Sequence, residues 1–235
     1  MNNKNITILF LLFFTLLYSQ KDFKINFYKE NQNVNLFAFI GEKISMEEFD
    51  PNLDVKTIIE IDLENGDTIY RKAKIIDRAF KLKYKVIKNL FNDLKSDTVE
   101  FVAYDHYGKP GFSNLQNVIL YISKSTDKKF YFHQKYEYNE IILTKKNEWI
   151  GLLNFGSVSR IEKGLTLNLK KIIINKSARI NLKNIPQQNI DLFYPKPFYE
   201  IKKNMAIPIL GLTIQDLINY KVESLIKEGQ VINKN

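Results

Sequence analysis

The run Tyr104-Asp105-His106-Tyr107-Gly108-Lys109-Pro110-Gly111-Phe112 holds the densest set of side chains able to do chemistry. A carboxylate beside an imidazole raises the pKa of the ring and can orient it as a general base. His106 and His133 are the only two histidines in the chain. Asp105, His106 and His133, with Glu137 as a further ligand, would make a His and carboxylate set suited to an acid/base or metal-dependent hydrolase. Adjacent residues on a strand face opposite sides, however, so Asp105 and His106 converge only in a turn. Gly108, Pro110 and Gly111 supply such a turn, in which Asp105 would bond the backbone instead.

The chain also has no Cys, no Gly-x-Ser-x-Gly elbow, no phosphate-binding glycine loop, no His-Glu-x-x-His and no EF-hand loop. The expectation is therefore no catalytic residue, no metal and no cofactor. Tyr104, Asp105, His106, Tyr107 and His133 remain as candidate ligand-binding residues, because binding concentrates in loops. Tyr131, His133 and Tyr136 could line an aromatic surface for a glycan or peptide, although tyrosines on strands also serve sheet packing.

Strands must position these residues. Val34 to Ile44 alternates, and the acidic loop Glu47 to Asn52, with Pro51, is expected to break it. Val55 to Leu63 and Thr68 to Ile76 flank Asn65-Gly66, a strong hairpin signal because both residues tolerate positive φ. Phe80, Leu82, Tyr84 and Val86 share one face of the next strand, with Lys81, Lys83 and Lys85 on the other. That is the pattern of a half-buried antiparallel strand. Asn89 to Lys95 reads as a short turn or helical twist. Further strands are expected at Thr98 to Tyr104, Asn117 to Ser123 and Lys129 to Tyr138, and then at Leu165 to Ile174.

Pro186, Pro195, Pro197 and Pro208 mark residues 184–210 as an extended connection. The spacing predicts a terminal helix with Thr213 as N-cap, Asp216 three residues on, an apolar face of Ile214, Leu217, Ile218 and Leu225, and Gly229 as terminator. The fold class that follows is mainly β, an antiparallel barrel or sandwich of OB-like form, with a C-terminal α-helix. Residues 21–144 form its β-rich part and 145–235 a strand-plus-helix extension.

Composition bounds the partners. The chain of 235 residues carries 35 Lys+Arg against 26 Asp+Glu, yet only Arg71, Arg78, Arg160 and Arg179 are arginine. The planar fork that clamps phosphate or reads guanine is arginine chemistry, so no nucleic acid is expected. Lysines alternating with apolar residues describe a solvated sheet face. Residues 1–20 read as a signal peptide: Lys4, an apolar run from Ile6 to Tyr18, then Ser19-Gln20 before charged Lys21 and Asp22. The run is shorter than the roughly 20 residues of a membrane span. An exported protein, periplasmic or extracellular, touching the membrane only during export, is the expectation.

Residues 36–122 resemble the netrin-like modules, five-stranded OB-type barrels that include the tissue inhibitors of metalloproteinases. The resemblance lies in the order of Phe39-Ile40-Gly41-Glu42-Lys43-Ile44, Tyr84 to Asn92, Asp97 to Phe101 and Asn117 to Ile122. It implies a barrel that binds through its loops. The inhibitory members use an N-terminal cysteine and disulfides, and this chain has no Cys. Inhibition and its residues therefore do not carry over. The reading is a non-enzymatic β-rich binding module for a protein, glycan or envelope component. Alternatives are the hydrolase above and a structural envelope protein assembling through an exposed face of the terminal helix.

Overall fold

The computed structural model describes residues 30–227 except 32, 54–56, 73, 128, 154–168 and 174–178. The expected signal peptide, residues 165–168 and 174 of an expected strand, and the expected terminator Gly229 lie outside the described residues.

Five strands close into a ring. They are β1 (Phe37–Phe49), β4 (Arg78–Phe91), β5 (Thr98–Asp105), β6 (Asn117–Lys124) and β7 (Tyr131–Leu143). The ring runs β1-β4-β5-β7-β6 and returns to β1; β5–β7 is parallel and the other pairings are antiparallel. This is a β-barrel with OB-like connectivity. Phe80, Leu82 and Tyr84 of β4 point inward and meet Phe39, Val99, Phe101, Val118, Leu120 and Ile122 in the barrel core. Lys81, Lys83 and Lys85 take the outer side, since successive side chains alternate across a strand. Gly41 admits β1 to this core: a Cβ there would lie 2.9 Å from both the Phe39 and Tyr84 rings.

β1 does not stop at the acidic loop. Pairing with Phe80 and Ala79 carries it through Glu48 and Phe49, because long-range ladder bonds outweigh local composition. Between β1 and β4, β2 (Thr57–Ile61) and β3 (Thr68–Lys72) form the expected hairpin around Gly66 at φ 77°. Its Ile59, Ile61 and Tyr70 share one face and are exposed.

The opposite faces of β1 and β6 build a second core. Ala38, Ile40, Ile119 and Tyr121 meet Ile214, Leu217, Ile218, Val222 and Leu225 of the terminal helix, here α2 (Ile214–Lys227). Each of the Ile, Leu and Val side chains among them contributes about 1.5–3 kcal/mol relative to exposure. The helix starts as its sequence predicts, with the Asp216 amide donating to Thr213 Oγ1 (3.1 Å). Its apolar face is covered, so the idea of an exposed face for assembly is corrected: these side chains are 1–2% exposed.

The sheet extends from β7 through β8 (Trp149–Gly151) and β13 (Leu210–Thr213) to β9 (Leu169–Lys171). The proline-rich connection holds more structure than expected. It contains the short helix α1 (Gln187–Phe193) and a small sheet of β10 (Ile180–Asn181), β12 (Met205–Pro208) and β11 (Tyr199–Lys202). Pro208 closes a strand end, where its missing N–H costs little.

Candidate functional site

One end of the barrel gathers residues from four strands. β4 begins at Arg78 opposite Asp105, the last residue of β5. β1 nears its end there at Glu48, which holds Arg78 through two bonds, Nε to Oε1 at 2.7 Å and Nη2 to Oε2 at 2.5 Å. β7 runs parallel to β5 and reaches the same level just after Phe132.

There β7 bulges. His133 pairs with Ile122 and Tyr138 with Leu120, so four residues of β7 face one of β6. A bulge re-aims side chains and ends regular pairing. Tyr136 within it sits at φ 66°, in the left-handed region that is costly for a bulky side chain.

Buried groups hold this bulge. His133, on its near shoulder, is 7% exposed, and its Nε2–H donates to the Glu137 carbonyl at 2.8 Å. Burial pushes its pKa down from 6.5 to about 4, against which the Glu137 contact acts weakly. The ring is therefore neutral, and the Glu137 carbonyl requires the proton to sit on Nε2. Gln134 Nε2 donates to Ser123 Oγ at 2.5 Å. On the far shoulder, Lys221 of α2 donates to the Glu137 carboxylate. The second core thus reaches the barrel end through one ion pair.

The turn after β5 lies beside the bulge. Asp105 Oδ1 accepts the Tyr107 amide at 2.8 Å, the local backbone bond anticipated for it. Gly108 at φ 132° lets the chain pass beneath Arg78, whose Nη1 would lie 3.7 Å from a Cβ there. Phe112, in the 3₁₀ turn Gly111–Asn114, inserts into the barrel core, its ring centre 4.5 Å from that of His133. Lys43 Nζ donates to the Ser113 carbonyl and fixes the turn to β1.

The surface produced carries two tyrosines. Tyr107 is 87% exposed and Tyr136 50%, with ring centres 6.1 Å apart and planes inclined at 39°. His106 stands edge-on to Tyr107 at 5.4 Å. Below them Asp77 uses both carboxylate oxygens, one 3.2 Å from His106 Nδ1 and one 2.6 Å from Lys135 Nζ. The bond from Lys135 holds the Asp77 carboxyl below its usual range, helped by His106. Lys135 in turn lies 5.2 Å over the Tyr136 ring.

The sequence-derived candidates divide. Asp105, His106 and Tyr107 meet in this turn, and Tyr104 stands one residue before it on β5. His133 does not join a His and carboxylate set and does not lie on a polar strand face. Its ring points among Phe101 and Phe112, and its partner is a backbone carbonyl. Among the described residues, no group of three or more His, Cys, Asp or Glu is placed to hold a metal ion. Asp77, Lys135, Arg78 and Glu48 were not legible as site residues, because only long-range pairing brings them together.

Elsewhere, a groove of about 330 Å³ runs over the outer side of β1, β4 and β5, lined by Glu47, Lys81, Lys83, Glu100 and Phe130. Its Lys83–Glu100 pair at 2.8 Å satisfies part of its charge. The chain matches no family model, and neither a curated protein nor a solved structure matches it.

Proposed function

We propose that the protein is an exported, non-enzymatic binding module whose contact surface is the Tyr107–Tyr136 platform at the end of the barrel. One observation carries this reading: Tyr136 is held in a left-handed backbone conformation and displays an exposed ring beside a second exposed tyrosine. Backbone strain of this kind costs about 1–3 kcal/mol and persists where surrounding structure over-determines it, often at binding sites. Here His133, Gln134 and Lys221 do so.

The surroundings of the two histidines favour binding over hydrolysis. One ring is buried and engaged with a carbonyl, and the other is paired with Asp77 on the surface. The likeness to netrin-like barrels supports only binding through loops at a barrel end. Export rests on the pattern of residues 1–20.

The test compares retention of the wild type and of Tyr107→Ala plus Tyr136→Ala on isolated cell-envelope fractions of the source organism. Saturable retention of the wild type, lost in the double variant with its circular dichroism unchanged, is expected. Equal retention of both would overturn the assignment of the surface. Intact-mass measurement of the secreted protein tests export, with the chain expected to begin after Ser19 or Gln20.

A further inference from the structure

We infer that the Tyr107–Tyr136 platform takes an uncharged oligosaccharide, an inference that rests on the binding reading above and names its ligand class. Three features of the surface select this chemistry.

The first is electrostatic. The chain carries a formal net charge of +9, yet the groups around the platform balance: Arg78, Lys109 and Lys135 stand against Glu48, Asp77 and Asp105. The strongest of them are committed to each other, Arg78 to Glu48 through two bonds and Lys135 to Asp77. Lys109 faces Glu48 and helps lower its pKa, after the larger effect of Arg78. A polyanion such as nucleic acid or an acidic polysaccharide would meet a carboxylate beside both Arg78 and Lys135. A charged protein patch would gain little from a balanced surface.

The second is the tyrosine pair itself. The electron-rich face of an aromatic ring attracts weakly positive C–H groups, and the flat faces of a pyranose are lined with them. Tyr107 is 87% and Tyr136 50% exposed, with ring centres 6.1 Å apart, so the pair offers aromatic surface for more than one sugar unit, with Lys135 lying over the Tyr136 ring. Next to the rings lie His106, Asp77 and Lys135.

The third is the state of those polar groups. Asp77 is fixed from both oxygens and still has lone pairs to accept from hydroxyls, and Lys135 has further N–H groups beyond the one given to Asp77. A group held by one partner is oriented for a second. This donor and acceptor set suits ligands bearing vicinal hydroxyls, which can donate and accept at once.

The experiment is titration of the mature protein with a panel of neutral oligosaccharides, two to six units of glucose, N-acetylglucosamine, mannose and galactose, followed by NMR line shifts. Binding is expected for at least one series, with affinity rising from two units upward. Tyr107→Ala and Tyr136→Ala are each expected to weaken it about tenfold, the scale of one lost ring contact. Tyr107→Phe, which keeps the ring, should stay within about twofold of wild type and guards against a folding artefact. Affinity should change less than about twofold between 0.05 M and 0.5 M salt, because no net charge is neutralised. Failure of the whole panel, while envelope retention stays dependent on Tyr107 and Tyr136, would overturn the sugar inference and leave the binding surface standing. Loss of both dependences would overturn both. Tight binding of an acidic polysaccharide that disappears in salt would also refute the inference.

Discussion

Acidification should loosen this protein through a single imidazole. His133 is buried with its pKa lowered from 6.5 to about 4, chiefly because the core disfavours the charged ring. In the unfolded chain the same ring takes up its proton as pH falls through 6.5. The unfolded state therefore binds more protons between pH 6.5 and about 4, and stability is lost as pH falls through that window. At about 1.4 kcal/mol per unit, His133 alone should cost about 2 kcal/mol at pH 5 and about 3 kcal/mol at pH 4, relative to pH 7.

Other groups act differently. Glu48, Asp77, Glu100 and Asp127 have lowered pKa values, so their effects begin only near and below the ordinary carboxylate range. Glu140 is raised by burial, so its share favours the folded state as pH falls. The clean quantity is thus the difference between wild type and His133→Gln, a side chain that keeps an N–H for the Glu137 carbonyl but does not titrate. Urea unfolding at pH 7, 6, 5 and 4, followed by near-UV circular dichroism, measures it. His133→Gln should be less stable at pH 7 by about 1–3 kcal/mol, and the gap should close and reverse towards pH 4. Parallel curves for the two proteins across this range would refute the assignment of a buried neutral imidazole.

Three further outcomes follow from the same packing. Lys221→Met leaves the Glu137 carboxylate without its partner and should cost about 2 kcal/mol, less than a fully buried pair because Glu137 is partly exposed; Lys221→Met with Glu137→Leu should recover most of it in urea unfolding. Gly41→Ala drives a methyl to 2.9 Å from the Phe39 and Tyr84 rings and should lower unfolding free energy by about 1–3 kcal/mol. Tyr136→Gly should raise stability by up to about 1 kcal/mol, since glycine accepts φ 66° without steric strain, while weakening envelope retention.

The barrel was legible in the sequence because its strands obey a local rule. Phe80, Leu82 and Tyr84 against Lys81, Lys83 and Lys85 give both strand and facing, and Asn65-Gly66 gives a hairpin. The terminal helix was legible from Thr213 and Asp216. The break expected at Glu47 failed, because an acidic stretch continues a strand when a neighbour supplies its hydrogen bonds. The small sheet among the prolines was missed likewise: Pro208 is the last residue of the central strand β12, beyond the reach of β10, so its missing N–H breaks no ladder. The Tyr104–Tyr107 turn was found from its glycines and proline, but Asp77 and Lys135 carry no local mark. They acquire a role only when strands distant in sequence end at the same place.

His133 shows why residue type alone misleads about chemistry. A histidine near an acidic residue reads as a catalytic or metal-binding pair, and its companion Glu137 does lie within reach. The atom it bonds, however, is the Glu137 carbonyl, and the carboxylate turns the other way to Lys221. The two bonds hold opposite sides of one residue, which pins the chain just beyond Tyr136. Local preference at Tyr136 opposes the conformation it adopts, and groups from the barrel core, β6 and the terminal helix enforce it. Conflicts between local preference and fold gather at functional or strained sites. That conflict between local preference and enforced geometry, at an exposed ring, is the physical ground for proposing a binding surface here and not in the groove on β4, whose Lys83 and Glu100 pair with each other.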